Sequence, residues 1–100
     1  MALAVEWSPE AVEDLESIAA YIERDSPNYA SAVVARIVEI AGSLPEFPEM
    51  GRMVPELEDS AVRERFVYSY RLIYRIEEHR LLVVAVIHGR RMLEAVEKRF

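Results

Sequence analysis

An α+β fold is predicted, with an N-terminal strand and an antiparallel helical hairpin packed on an antiparallel β-sheet, in the order β-αα-βββ with a short C-terminal helix. Three features of the 100-residue chain predict it. Two consecutive segments between Ser8 and Leu44 carry helix caps and helically spaced apolar residues. Three strand-like segments then follow one another from Arg63 to His88 with no helix between them. The last of these is apolar at every position from Leu81 to Ile87, as in a central strand covered on both faces. Helices followed by a run of strands, rather than strict alternation, give an α+β layering.

Taken in order, Ala2 to Trp7 is short and β-prone, an edge strand. Ser8-Pro9-Glu10 starts a helix: Ser8 caps, Pro9 sits where its missing N–H costs nothing, and Glu10, Glu13 and Asp14 suit the positive end of the dipole. Val12, Leu15, Ile18, Ala19 and Ile22 form its apolar stripe, and it ends near Arg24. Asp25-Ser26-Pro27 repeats the cap. The second helix places Ala30, Val33, Val34, Ile37, Ile40, Ala41 and Leu44 inward until Gly42 and Pro45 end it. So short a connection forces an antiparallel hairpin. Pro45 to Ser60 reads as a loop crossing to the sheet, carrying Pro45, Pro48, Gly51 and Pro55.

Arg63 to Tyr68, Tyr70 to Ile76 and Arg80 to His88 are the meander, with a turn at Glu77-Glu78-His79. On the middle strand Tyr70, Leu72, Tyr74 and Ile76 share one face, and Arg71, Ile73 and Arg75 share the other. After Gly89, Arg91 to Phe100 forms a short helix that aligns Leu93, Val96 and Phe100. The hairpin covers one face of the sheet. The C-terminal helix is about 15 Å long and covers part of the other. The expectation is therefore a sheet face bare in the lone chain, with an apolar floor at Ile73 rimmed by Arg63, Arg65, Arg71 and Arg75. Such a face receives an acidic amphipathic partner segment.

Composition narrows the class. Apolar residues are 52% and charged residues 30%, which fits one globular domain over residues 1–100 and excludes a disordered chain. No apolar run reaches the roughly 20 residues of a membrane span. Met1 to Trp7 lacks a basic region and meets Glu6 early, so it is not read as a signal peptide, and a cytoplasmic location is expected. Without cysteine there is no disulfide framework, and two histidines without a metal-ligand spacing give no metal site; no cofactor is expected. Charge is segregated. Residues 1–62 hold 13 acidic and 3 basic residues (net −10), and residues 63–100 hold 5 and 9 (net +4), which together make −6. All the basic residues but Lys98 are arginine, the better fork for carboxylate or phosphate.

The ordered landmarks are Trp7-Ser8-Pro9 with Ala11, Asp14-Leu15 and Ile18; Tyr21-Ile22; Pro48, Gly51-Arg52 and Pro55-Glu56-Leu57; Arg63; Tyr70-Arg71-Leu72-Ile73-Tyr74-Arg75-Ile76; and His88 with Arg90-Arg91. In order and spacing they resemble the ParE/RelE superfamily of bacterial type II toxin–antitoxin toxins, from about Val5 to Arg91. The resemblance implies a toxin neutralised by a co-expressed antitoxin, a ribbon-helix-helix protein whose acidic and apolar C-terminal segment wraps it. The operator DNA would be reached through the antitoxin alone, in a hetero-oligomer. RelE-like members cleave ribosome-bound mRNA, whereas ParE-like members poison DNA gyrase. Aligned on Tyr70-Arg71-Leu72, the RelE catalytic arginine falls on Phe66, with Arg65 adjacent. The second arginine matches Arg91, the tyrosine of the terminal helix falls on Glu97, and the lysines before the sheet are missing. The resemblance thus implies a ParE-like gyrase inhibitor with no catalytic residues. The alternative is a RelE-like ribonuclease using Arg65, His88 and Arg91.

His88, Arg90 and Arg91 are the candidate target-binding residues, since arginines at a chain bend make natural anion sites and a strand-end histidine is a tunable hydrogen-bonding partner. Arg63, Arg65, Arg71, Ile73 and Arg75 are the candidate antitoxin-binding residues. His79 and Glu77-Glu78 are read as a solvated turn, and Tyr68, Tyr70 and Tyr74 as core.

Overall fold

The computed structural model describes residues 3–90 and 93–100, with Ala95 by its backbone alone. β1 (Ala4–Trp7) leads into helices α1 (Pro9–Glu23) and α2 (Pro27–Ser43). Two single-turn 3-10 helices, Leu44–Glu46 and Pro48–Met50, then precede β2 (Arg52–Met53), β3 (Val62–Val67), β4 (Tyr70–Ile76), β5 (Arg80–His88) and a terminal 3-10 helix, Leu93–Arg99. Both predicted caps form: Ser8 Oγ accepts from the Ala11 N–H at 3.1 Å and Ser26 Oγ from the Tyr29 N–H at 3.2 Å, each followed by proline at the first helical position.

The five strands lie in the order β1-β5-β4-β3-β2. β1 runs parallel to β5, and the other neighbours are antiparallel. β5 is thus an interior strand between β1 and β4, as its unbroken apolar run requires, and Leu81 and Val83 to Ile87 are all buried. The Pro45–Ser60 segment is more ordered than a loop, since β2 extends the sheet within it. Arg63 holds this segment in place by donating from Nε to the Ser60 carbonyl at 2.9 Å and from Nη1 to the Gly51 carbonyl at 3.2 Å. Gly51 is packed so closely that a Cβ there would collide with the Tyr74 hydroxyl and meet the Glu64 carbonyl at 2.7 Å. The Tyr74 hydroxyl accepts from the Gly51 N–H and donates to the Pro48 carbonyl.

The sheet carries two cores. The hairpin side joins Ala11, Ile22, Val33, Ile37 and Leu44 to Leu72, Tyr74, Val83 and Val86. The buried line of α1 runs through Ala11, Leu15, Ile18 and Ile22, and Val12 stands outside it at 42% exposure. On the far side, Val54 and Leu57 from the 45–60 segment and Leu93, Val96 and Phe100 from the C-terminus close over Val62, Ile73, Ala85 and Ile87.

The expected bare face is therefore a second closed core: Ile73 and Ala85 are 0% exposed. Two covers meet there, with Val54 and Leu57 of the 45–60 segment beside Leu93, Val96 and Phe100 of the C-terminus. The predicted arginine rim also divides. Arg63 pairs with Tyr74 and Arg65 with Leu72, so both lie on the hairpin face, while Arg71 and Arg75 lie with Ile73 on the other. Opposed residues of an antiparallel pair share a face, which decides the split.

Candidate functional site

On the closed face, Glu64 of β3 and Arg71 of β4 form the centre of a chain of charges. The Glu64 side chain is fully buried and accepts from Arg52 Nε and Arg71 Nε, both at 2.6 Å. Arg71 then donates from both terminal nitrogens to the two oxygens of Glu56, each at 3.0 Å. The Arg71 hydrogen bonds hold the Glu56 carboxyl below its ordinary range. This alternation pairs both Glu64 and Arg71, the charged residues buried among those described, and it also means that the Arg71 fork is occupied within the chain.

Beside it lies a cleft of about 450 Å³ lined by Glu56, Arg71, Arg90, Glu94 and Glu97 among others. Three carboxylates face two cations there, and Glu56 and Arg71 already neutralise each other. Arg75 sits with its guanidinium 5.9 Å from the Phe100 ring centre.

A different surface forms at the end of the sheet, where β5 outruns β1. A cleft of about 500 Å³ opens between α1 and this end, lined by Tyr21, Tyr29, Tyr68, Tyr70 and His88 with Asp14. His88 and Tyr70 are cross-strand partners, and their rings meet edge to face at 5.7 Å. Burial, and then Tyr29 and Tyr21 nearby, push the Tyr70 hydroxyl pKa up. His88 Nδ1 accepts from the Arg90 N–H at 3.2 Å. A neighbouring cleft of about 400 Å³ joins Phe66, Tyr68, His88 and Arg90.

Of the predicted target-binding residues, the structure brings His88 and Arg90 together; Arg91 lies outside the described residues. The alternative catalytic set does not converge as far as it is described. Arg65 Nη1 lies 3.1 Å from the Met50 sulfur and lines neither cleft that holds His88. Within the antitoxin set, Arg71 and Ile73 are internal, while Arg63, Arg65 and Arg75 keep partial exposure. Tyr68 is a turn residue at φ 54° rather than core, with its side chain out.

Sequence reasoning passed over Tyr21, Tyr29 and Asp14 as parts of a site. Tyr21 and Tyr29 lie off the apolar stripes of their helices, a signal that was available. Asp14 gave none, because its partner Arg99 is 85 positions away.

Comparison with known proteins agrees with this architecture. Residues 5–93 match the family model described as the ParE toxin of the type II toxin–antitoxin system parDE. Toxin RelE2 of Caulobacter vibrioides is 33% identical over 89 residues, which span 88% of this chain and 97% of that protein. A putative toxin, Y4kP, of Sinorhizobium fredii is 44% identical over 48 residues, and that match spans about half of each chain. Among solved structures, a chain of the chromosomal ParDE system from P. aeruginosa superposes with a TM-score of 0.72 at 21% identity, covering 87% of this chain and 96% of that one. A chain of the RelBE2 toxin–antitoxin complex from Mycobacterium tuberculosis gives 0.61 at 24% identity, covering 88% and 99%. At such identities these two report the fold. The match over residues 5–93, on a fold of the same kind, places the chain in the ParE toxin family, among the type II toxins of the ParE/RelE superfamily.

Proposed function

We propose that the chain inhibits DNA gyrase, and so replication, by binding rather than by cutting nucleic acid, and that a ParD-like antitoxin neutralises it. The carrying observation is the carboxylate-lined cleft of Glu56, Glu94 and Glu97 beside the terminal helix. In-line cleavage of RNA requires a base for the 2′-hydroxyl, an acid for the leaving oxygen and cations for the phosphate. In this cleft a polyanion meets three carboxylates and two arginines, and one of these, Arg71, has its hydrogen bonds taken. His88, Arg90 and Arg91 then serve to bind the target, with no catalytic residues. The antitoxin is a ribbon-helix-helix protein with an acidic and apolar tail. It forms a hetero-oligomer with the toxin in the cytoplasm and carries the operator contacts. Arg63, Arg65 and Arg75 are the members of the predicted antitoxin set that are partly open to it.

Purified toxin is expected to block supercoiling by gyrase or to trap its cleavage complex with DNA, and to leave mRNA on ribosomes intact. Cleaved mRNA with indifferent gyrase would overturn the proposal. That outcome would favour the ribonuclease reading, which the 33% identity to toxin RelE2 supports. Arg65, His88 and Arg91 would then be the residues to substitute.

A further inference from the structure

We infer that the open edge of β5 at Val86–His88 is a strand-docking site, which takes an extended segment of a partner polypeptide by backbone pairing and grips it in the tyrosine-lined cleft. The inference holds whichever target the toxin has. β1 stops where Trp7 pairs with Val83, and its side of the ladder ends with the Ser8 N–H on the Val83 carbonyl at 3.0 Å. β5 continues to His88. On its other side Gly89 donates to the Ser69 carbonyl at 2.7 Å and Ile87 pairs with Arg71, so Val86 and His88 turn their N–H and C=O groups away from β4.

Side chains stand in for a missing strand along the first part of this edge. Asp14 Oδ2 accepts from the Val86 N–H at 3.0 Å, and Arg99 Nη1 donates to the Val84 carbonyl at 3.2 Å and to Asp14 at 2.6 Å. Beyond them, the Val86 carbonyl and the His88 N–H have no partner among the described residues, and they open into the cleft of about 500 Å³. A sheet edge left with unpaired groups is a template for an added strand.

The surroundings choose the occupant. Tyr21, Tyr29 and Tyr68 ring the cleft at 69%, 52% and 57% exposure, and large tyrosine faces anchor polypeptide interfaces. Tyr68 holds its position at φ 54°, a conformation that non-glycine residues adopt at a cost and that clusters at binding sites. Among the described residues no lysine or arginine lines the cleft, which disfavours nucleic acid. A helix offers no free backbone groups to pair with the edge. The fitting ligand is an extended segment with apolar side chains at alternate positions, those on the hairpin side meeting the tyrosines.

The probe is the peptide acetyl-Thr-Val-Thr-Val-Thr-Val-amide, titrated into the full chain and followed by amide and tyrosine-ring resonances. Binding should slow hydrogen exchange at the His88 amide and shift the rings of Tyr21 and Tyr29. N-methylation of the peptide's central amides should weaken binding about five-fold, the loss of one or two hydrogen bonds. The double variant Tyr21→Ala/Tyr29→Ala should keep its circular dichroism and Tm and also bind about five-fold more weakly. Three results would each overturn the inference: no perturbation at millimolar peptide, equal affinity for the N-methylated peptide, or shifts mapping elsewhere. His88 protection that rises with protein concentration alone would assign the edge to a second copy and overturn it likewise.

Discussion

Glu64 shows how much one side chain settles in this molecule. It sits on β3 with its carboxylate fully buried, and both of its oxygens are taken by guanidinium nitrogens, from Arg52 and Arg71. Glu64→Ala leaves the buried Nε of Arg71 without its acceptor while Glu56 still pairs the guanidinium, so it should cost about 1–3 kcal/mol in urea unfolding. The double variant Glu64→Leu/Arg71→Met, which removes both charges and keeps the volume, should fall closer to the wild type. A double variant as unstable as Glu64→Ala would show that packing, not charge, is what the pair provides. Glu56 gives a pH signature. Its folded pKa lies below the ordinary 4.5 because Arg71 hydrogen-bonds the carboxylate. The stability it contributes is therefore complete above 4.5 and fades as pH falls through the lower folded value. The gap in unfolding midpoint between wild type and Glu56→Gln should be widest near neutrality and close below pH 4.5. A gap that does not change with pH would mean the pair contributes through shape alone.

At the scale of elements, the mismatch in length between β1 and β5 matters most. β1 pairs with β5 over four residues and leaves the last part of a nine-residue strand without a neighbour on that side. Asp14 from α1 and Arg99 from the terminal 3-10 helix fill the first places, so one ion pair ties three elements together. Both side chains are largely buried, at 15% and 23% exposure, which sets this pair apart from a solvated surface bridge. Asp14→Ala should cost about 1–3 kcal/mol and speed hydrogen exchange at the Val86 amide, whose acceptor it removes. Arg99→Ala should destabilise too but leave the Val86 amide protected. Equal exchange in both variants would show that the ion pair, not the carboxylate alone, guards this edge.

At the scale of the whole molecule, the sheet is sealed on both faces by its own chain. Leu93 and Val96 are 4% and 3% exposed and complete the second core over Ile73, Ala85 and Ile87. Losing those two side chains removes about 3–6 kcal/mol of apolar burial, at about 1.5–3 kcal/mol each. Small domains hold about 5–15 kcal/mol in all. Deleting residues 93–100 should therefore leave a chain that unfolds far below the wild-type Tm and binds hydrophobic dyes. A truncated chain with an unchanged Tm would show the cover to be dispensable, and would restore the sheet face as a free surface.

Local chemistry made much of this legible in advance. Ser8-Pro9 and Ser26-Pro27 set the helix starts, apolar spacing set α2, and the unbroken run from Leu81 to Ile87 set an interior strand, because caps and periodicity act between residues near in sequence. Apolar spacing places the inner line of α1 at Val12, one position from the buried Ala11, since two adjacent apolar residues leave the stripe ambiguous until a partner surface picks one. Tertiary structure alone decided the rest. The closing of the far face by Val54, Leu57, Leu93 and Val96, the division of four arginines between two faces, and the Asp14–Arg99 pair depend on contacts between distant segments and on the register between strands. One-dimensional spacing gives a side chain its face within its own strand, but the pairing fixes which core that face meets.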